Sequence, residues 1–150
     1  MNDPQFTIRV YGLLINADRE VLLSDEQRFG KRFTKFPGGG LEQGEGTISC
    51  LKRECLEEMN QPIENIEHFY TTDFYQPSYF HTAKQILSVY YTFQLTGNQC
   101  FSTVNRAFEH ATSASDDFEV FRWKKVDDLE VADLTFPIDQ HVVNLIKKAF

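Results

Sequence analysis

The sequence predicts an α/β fold in a single domain, residues 1–150, on three observations. The 150-residue length suits one compact domain. Short β-branched and aromatic stretches are spaced along the chain by turn residues. Two segments carry apolar residues at helical intervals of three and four.

The elements follow in order. Residues 7–15 are rich in β-branched and apolar side chains and read as a strand. Ala17, Asp18 and Arg19 read as a turn, and residues 20–23 as the returning strand. Residues 24–32 are polar and read as a loop, with Arg28, Lys31 and Arg32 close together. Residues 33–36 read as a short strand running into Pro37-Gly38-Gly39-Gly40, where glycine permits a ligand to approach the main chain closely. Residues 47–59 read as a helix whose apolar face is Ile48, Leu51, Cys55 and Met59. Gly46 or Thr47 serves as its N-cap, Asn60 ends it in the left-handed region, and Pro62 blocks continuation.

Residues 66–75 and 86–95 read as two strands joined by a loop at 76–82. Tyr70, Phe74, Tyr75, Tyr79 and Phe80 read mainly as core, with Tyr79 and Phe80 as candidates for stacking on a base or sugar. Residues 97–117 form a long loop with a short helix around 104–110; loops of that length are often active-site lids. Residues 118–125 read as a strand. Ile138, Val142, Leu145, Ile146 and Ala149 make the apolar face of a final helix, whose last turn carries Lys147 and Lys148 as the helix dipole favours.

Composition excludes several functions. No apolar run is long enough to span a membrane, and the N-terminal residues lack the parts of a signal peptide. Three cysteines without metal-site spacing predict a reduced, cytoplasmic chain with no disulfide framework. His68, His81, His110 and His141 form no ligand-spaced pair and read as surface or packing residues. A net charge of −7 with no long basic run argues against a long nucleic acid as partner. An acidic chain can still bind phosphates if a metal inverts the local field.

That points to the carboxylates Glu42, Glu45, Glu54, Glu57 and Glu58. On a helix, Glu54, Glu57 and Glu58 stand together at i, i+3 and i+4, where like charges repel by a few tenths of a kcal/mol per pair. A hard cation with oxygen ligands would compensate, and magnesium typically takes one or two carboxylates plus substrate phosphates. The plain alternative is a solvated acidic face.

The spacing decides between them. From Gly39, five residues pass to Glu45 and seven more to Arg53-Glu54; Cys55 and one further residue lead to Glu57-Glu58, and one more to Asn60. This resembles the signature of the Nudix hydrolase family, and the flank from Pro37 to Glu45 resembles the family's form too. Three positions depart: Cys55 stands for an aliphatic residue, Asn60 for a glycine, and Gln61 for an aliphatic, which leaves Ile63 as the core anchor.

The resemblance implies a Nudix-like α/β/α sandwich over a mixed β-sheet, and a pyrophosphohydrolase that uses Mg2+ or Mn2+. It implies that Glu54, Glu57 and Glu58 hold the metal, with a main-chain carbonyl near Gly39 as a further ligand. It casts Arg53 and Glu45 as orienting residues that pin the glycine-rich loop to the helix, and Glu42 as support through water. Arg28, Lys31, Arg32 and Lys35 precede the motif, and of these Arg28, Arg32 and Lys35 are the leading candidates for the substrate phosphates. For the general base the candidates are Glu57 on the helix and Asp116, Asp117 and Glu119 at the later loop and strand. The expected substrate is a small nucleotide: a nucleotide sugar, ADP-ribose, a dinucleotide or a nucleoside triphosphate. A catalytically silent nucleotide-binding module acting as a ligand sensor is the alternative, and a homodimer is left open.

Overall fold

The computed structural model of the chain describes residues 5–109 and 117–150. The elements are β1 (Phe6–Leu13), β2 (Glu20–Arg28), β3 (Lys31–Lys35), β4 (Gly38–Gly40), α1 (Thr47–Met59), β5 (Ile63–Thr71), β6 (Gln85–Leu95), β7 (Phe118–Lys125) and α2 (Pro137–Ala149). Short 3-10 turns occupy Val126–Asp128 and Val131–Asp133. The class is mixed α/β, as the sequence predicts. The described residues group into two units, 5–13 with 37–101, and 14–36 with 102–109 and 117–150.

The first unit is built on a mixed sheet in the order β4-β1-β6-β5. β1 runs parallel to β6 and antiparallel to β4, and β5 runs antiparallel to β6. Val10 and Tyr90 are fully buried in it. Gly38 faces Tyr11 across the β4–β1 ladder at φ +142°, and a Cβ there would lie 2.0 Å from the Val10 carbonyl oxygen. Only glycine permits that approach, so the strand leading into the acidic segment is held flush against β1.

Helix α1 packs on this sheet through Cys50, Leu51, Cys55 and Met59. Ile48, expected on the same face, is exposed (42%); Cys50 packs the first turn instead, its thiol donating to the Gly40 carbonyl at 3.5 Å. Gly46 is the N-cap, and Asn60 closes the helix in the left-handed region at φ 52°, its N–H donating to the Leu56 carbonyl. Both Ile63 and Gln61 are buried. The Gln61 amide is satisfied there: it donates to the carbonyls of Pro62 and Asn98 and accepts from the Cys100 N–H at 2.7 Å. β5 ends at Thr71, short of the expected strand end, so Phe74, Tyr75, Tyr79 and Phe80 fall in the following loop and are exposed, not core.

The second unit holds an antiparallel sheet in the order β3-β2-β7. Here the sequence reading needs two corrections. The segment 24–32 is not a loop: β2 continues to Arg28, turns at Phe29 and Gly30 in the left-handed region, and returns as β3 from Lys31. The polar side chains of Ser24, Asp25, Glu26 and Gln27 are buried because each meets a partner across the sheet. Asp25 accepts from Arg122 Nε at 2.7 Å and from the Thr34 hydroxyl at 2.6 Å; Gln27 accepts from Arg32 Nε at 2.8 Å. Second, residues 20–23 do not return along β1. The turn at 17–19 forms, braced by the Asn16 side chain, but β1 has β4 and β6 as neighbours and β2 has β3 and β7, so only an isolated Ile15–Val21 bridge remains.

In this unit α2 buries Ile138, Val142, Val143 and Ile146; Leu145 is half-buried and Ala149 exposed. Lys147 donates to the Leu129 carbonyl at 2.6 Å. Described residues 104–109 form no helix; Phe108 has φ 56°, and its N–H donates to Asp25. Among the described residues no helix is long and apolar enough to cross a membrane.

Candidate active site

The acidic segment of the first unit is organised by one guanidinium. Arg53 Nε and Nη2 fork onto the two Glu45 carboxylate oxygens at 3.0 and 2.8 Å, a bidentate pairing that an ammonium cannot make. Nη2 also donates to the Gly40 carbonyl at 3.0 Å. Nη1 is shared between Glu54 Oε1 and Glu57 Oε2, each at 3.1 Å, with Glu42 farther off at 3.7 Å. The loop is further closed by the Glu42 N–H, which donates to Glu45. Arg53 therefore joins helix α1 to the glycine-rich strand, the pairing the motif predicts, and supplies part of the positive charge that the glutamate run requires.

The electrostatics follow the geometry. Arg53, and next the Glu42 N–H, hold the Glu45 carboxyl down at about 2. Glu45 in turn raises the Arg53 guanidinium above its ordinary value. Burial, then the Glu45 carboxylate, pushes the Cys50 thiol up to about 12, so it stays a neutral donor to Gly40.

Glu54 is the most sequestered of the helix carboxylates, its side chain 11% exposed against 58% for Glu57; Glu58 is half-buried. A Cβ added at Gly39 would lie 2.4 Å from Glu54 Oε1, so the bare glycine backbone forms the wall against which this carboxylate rests. Among the described residues no three acidic, histidine or cysteine side chains already converge as a metal cage, and Arg53 lies between Glu54 and Glu57. The donor chemistry still fits a hard cation: the acidic side chains Glu54, Glu57 and Glu58 offer carboxylate oxygens, and a side chain at position 39 would fill the space Glu54 occupies.

The other candidates stand in the second unit, apart from Tyr79 and Phe80. Arg28 donates to Glu26 at 3.0 Å. Arg32 holds Gln27 and stacks over the rings of Phe108 and Phe118, 5.6 and 6.0 Å from their centroids. Lys35 is buried, its Nζ 2.8 Å from Glu26 Oε2. Glu119 lies on β7, accepting from the Ser24 hydroxyl at 2.6 Å. Asp117 is exposed and accepts from the Phe29 N–H; Asp116 and His110 lie outside the described residues. In the first unit Tyr79 and Phe80 are exposed and meet edge to face at 4.9 Å. Sequence reasoning missed Glu26 altogether. The signal for it was the alternation Ser24, Glu26, Arg28, the period of a strand.

If the Arg53 fork orients the loop, Arg53→Lys should lower turnover by about tenfold, the usual scale for losing a residue that orients metal ligands, with little change in KM. Steady-state kinetics at saturating metal checks this. Unchanged kcat would reduce the fork to a surface ion pair.

Comparison with known proteins places the fold and the family. No curated protein matches the chain. Among solved structures, a NUDIX hydrolase from Nitrosomonas europaea is 18% identical with a TM-score of 0.66, over 95% of this chain and 87% of that one. A MutT structure described for Aliivibrio salmonicida and Vibrio cholerae is 22% identical with a TM-score of 0.60, over 96% and 98%. A MutT protein from Bacillus halodurans is 20% identical with a TM-score of 0.63, over 93% and 82%. These likenesses show the fold. The NUDIX domain model matches residues 5–145, nearly the whole chain and both sheets, and the chain therefore belongs to the NUDIX family and is a Nudix hydrolase.

Proposed function

We propose that the chain is a pyrophosphohydrolase, one Nudix domain over its whole length, that requires Mg2+ or Mn2+ and cleaves the diphosphate linkage of a nucleoside diphosphate joined to another group. The substrate class covers nucleotide sugars, ADP-ribose, dinucleotides and nucleoside triphosphates. The observation that carries this reading is the Arg53–Glu45 fork, which sets the glycine backbone of residues 38–40 beside Glu54.

In this reading Glu54, Glu57 and Glu58 hold the metal, with the main chain at Gly39 as a further ligand. A divalent metal held there would supply screening of the diphosphate charge and Lewis-acid activation of water. Arg53 and Glu45 keep the loop and helix in fixed relation. Glu119, held at its carboxylate by Ser24, takes the proton of the attacking water. The water oxygen bonds to phosphorus, the bridging P–O bond breaks, and its electron pair leaves with the departing group. Arg28 and Arg32 contribute to holding phosphate, and Tyr79 or Phe80 stacks on a base or sugar. The expected setting is the cytoplasm.

The test is a panel of nucleoside diphosphate derivatives read by formation of the nucleoside monophosphate. Turnover of at least one should appear with magnesium or manganese and vanish on chelation. Nucleotide binding without turnover of any member, metal present, would establish a sensor module instead.

A further inference from the structure

Four polar residues of the second unit form a cluster whose purpose the fold alone does not explain. Glu26 is 3% exposed, and the Lys35 side chain 4%. The register of the sheet sets Glu26 of β2 opposite Glu119 of β7, and Ser24 of β2 opposite Lys35 of β3. Directly opposed residues share a face, and Ser24 and Glu26 are two apart on one strand, so all four project to the same side. Lys35 Nζ lies 2.8 Å from Glu26 Oε2 and 3.8 Å from Glu119 Oε2. The Ser24 hydroxyl donates to that same Glu119 oxygen at 2.6 Å, and Arg28 Nε donates to the other oxygen of Glu26 at 3.0 Å.

Two carboxylates facing each other across a ladder repel. Here an ammonium lies within reach of both. Burial works to raise the Glu26 pKa, but the Lys35 charge, with the hydrogen bond from Arg28, outweighs it and holds Glu26 ionised below the ordinary range. Lys35 is thus committed to carboxylates, which is poor chemistry for a phosphate clamp. Glu119 is the member of the cluster with a place in the reaction.

We propose that Glu26 and Lys35 are a positioning pair: Glu26 anchors the Lys35 ammonium, and that ammonium, with the Ser24 hydroxyl, fixes the Glu119 carboxylate in the orientation in which it accepts the proton of the attacking water. The proposal rests on the reading of Glu119 as the base. It moves Lys35 from substrate binding to the support of a catalytic group.

The experiment is a double-mutant cycle in kcat, KM and metal dissociation constant, on the best substrate at saturating magnesium. Glu119→Gln should lower kcat by about 10²-fold. Lys35→Met should lower it by about tenfold, with KM and metal affinity unchanged. Ser24→Ala should fall between Lys35→Met and wild type. Together, Lys35→Met and Glu119→Gln should be no worse than Glu119→Gln alone, because Lys35 acts only through Glu119. Should Lys35→Met fail to fold, the pair Glu26→Gln with Lys35→Met removes both charges and makes the same comparison. Losses that multiply in the double variant, or a raised KM with normal kcat in Lys35→Met, overturn the positioning pair. Normal kcat in Lys35→Met beside an impaired Glu119→Gln overturns it too, and leaves Glu119 as base. Normal kcat in Glu119→Gln removes the base assignment itself, and the positioning pair with it.

Discussion

Glu58→Gln is expected to lower turnover by about 10³-fold, the scale of losing several kcal/mol of metal-borne charge stabilisation. Glu58 is the informative position because the Arg53 bonds described above go to Glu45, Glu54 and Glu57. Changing Glu58 leaves those bonds in place. It also removes one like charge from a helix that carries Glu54 at i−4 and Glu57 beside it, relieving repulsion of a few tenths of a kcal/mol. The melting temperature should therefore hold or rise slightly while kcat collapses and the requirement for magnesium increases. Kinetics across a magnesium titration, paired with a thermal melt, gives both readings. A variant that turns over at the wild-type rate would remove α1 as the metal-holding helix.

Glu26→Gln should destabilise the fold by about 3–5 kcal/mol at neutral pH, the range for breaking one partner of a buried ion pair. It strips Lys35 of its 2.8 Å partner while leaving the ammonium buried. The effect should depend on pH in a defined direction. The Glu26 pKa in the folded chain lies below its ordinary 4.5. Its contribution is therefore fully present above about pH 4.5 and is lost as pH falls through the lowered folded value. The gap in unfolding free energy between wild type and variant should stay constant from neutrality down to about pH 4.5, then narrow. Denaturant melts at several pH values measure it. A gap that widens on acidification would show that Glu26 is not held ionised by Lys35.

These two residues mark what was legible in the sequence. The placement of Glu58 on α1 was legible because it is local: the spacing from Gly39 through Glu45 and Arg53 to Glu58 runs along one strand, one loop and one helix, so primary sequence encodes the spatial relation. The helix ends at Gly46 and Asn60 were legible for the same reason. Glu26 was illegible because its partners come from elsewhere in the chain. A run of Ser24, Asp25, Glu26 and Gln27 looks solvated until Arg122, Thr34, Lys35 and Arg32 are brought alongside it. The assumed pairing of residues 20–23 with β1 failed similarly: a turn at 17–19 says that the chain reverses, not which strands flank it. Phe74 and Tyr75 were misread as strand and core because aromatic density resembles a strand, and only the end of β5 at Thr71 separates the two.

The buried polar run of β2 also governs how its sheet can assemble. A strand of valines can slide by two residues along its neighbours and keep the same face inward, at the cost of packing alone. β2 has no such freedom. A two-residue slip against β7 would carry Asp25 away from Arg122, and one against β3 would carry it away from Thr34. The first would strand a charge in the interior, at several kcal/mol, and the second would cost that carboxylate a buried hydrogen bond. The polar side chains thus act as an address for the ladder, rejecting near-miss alignments that hydrophobicity would tolerate.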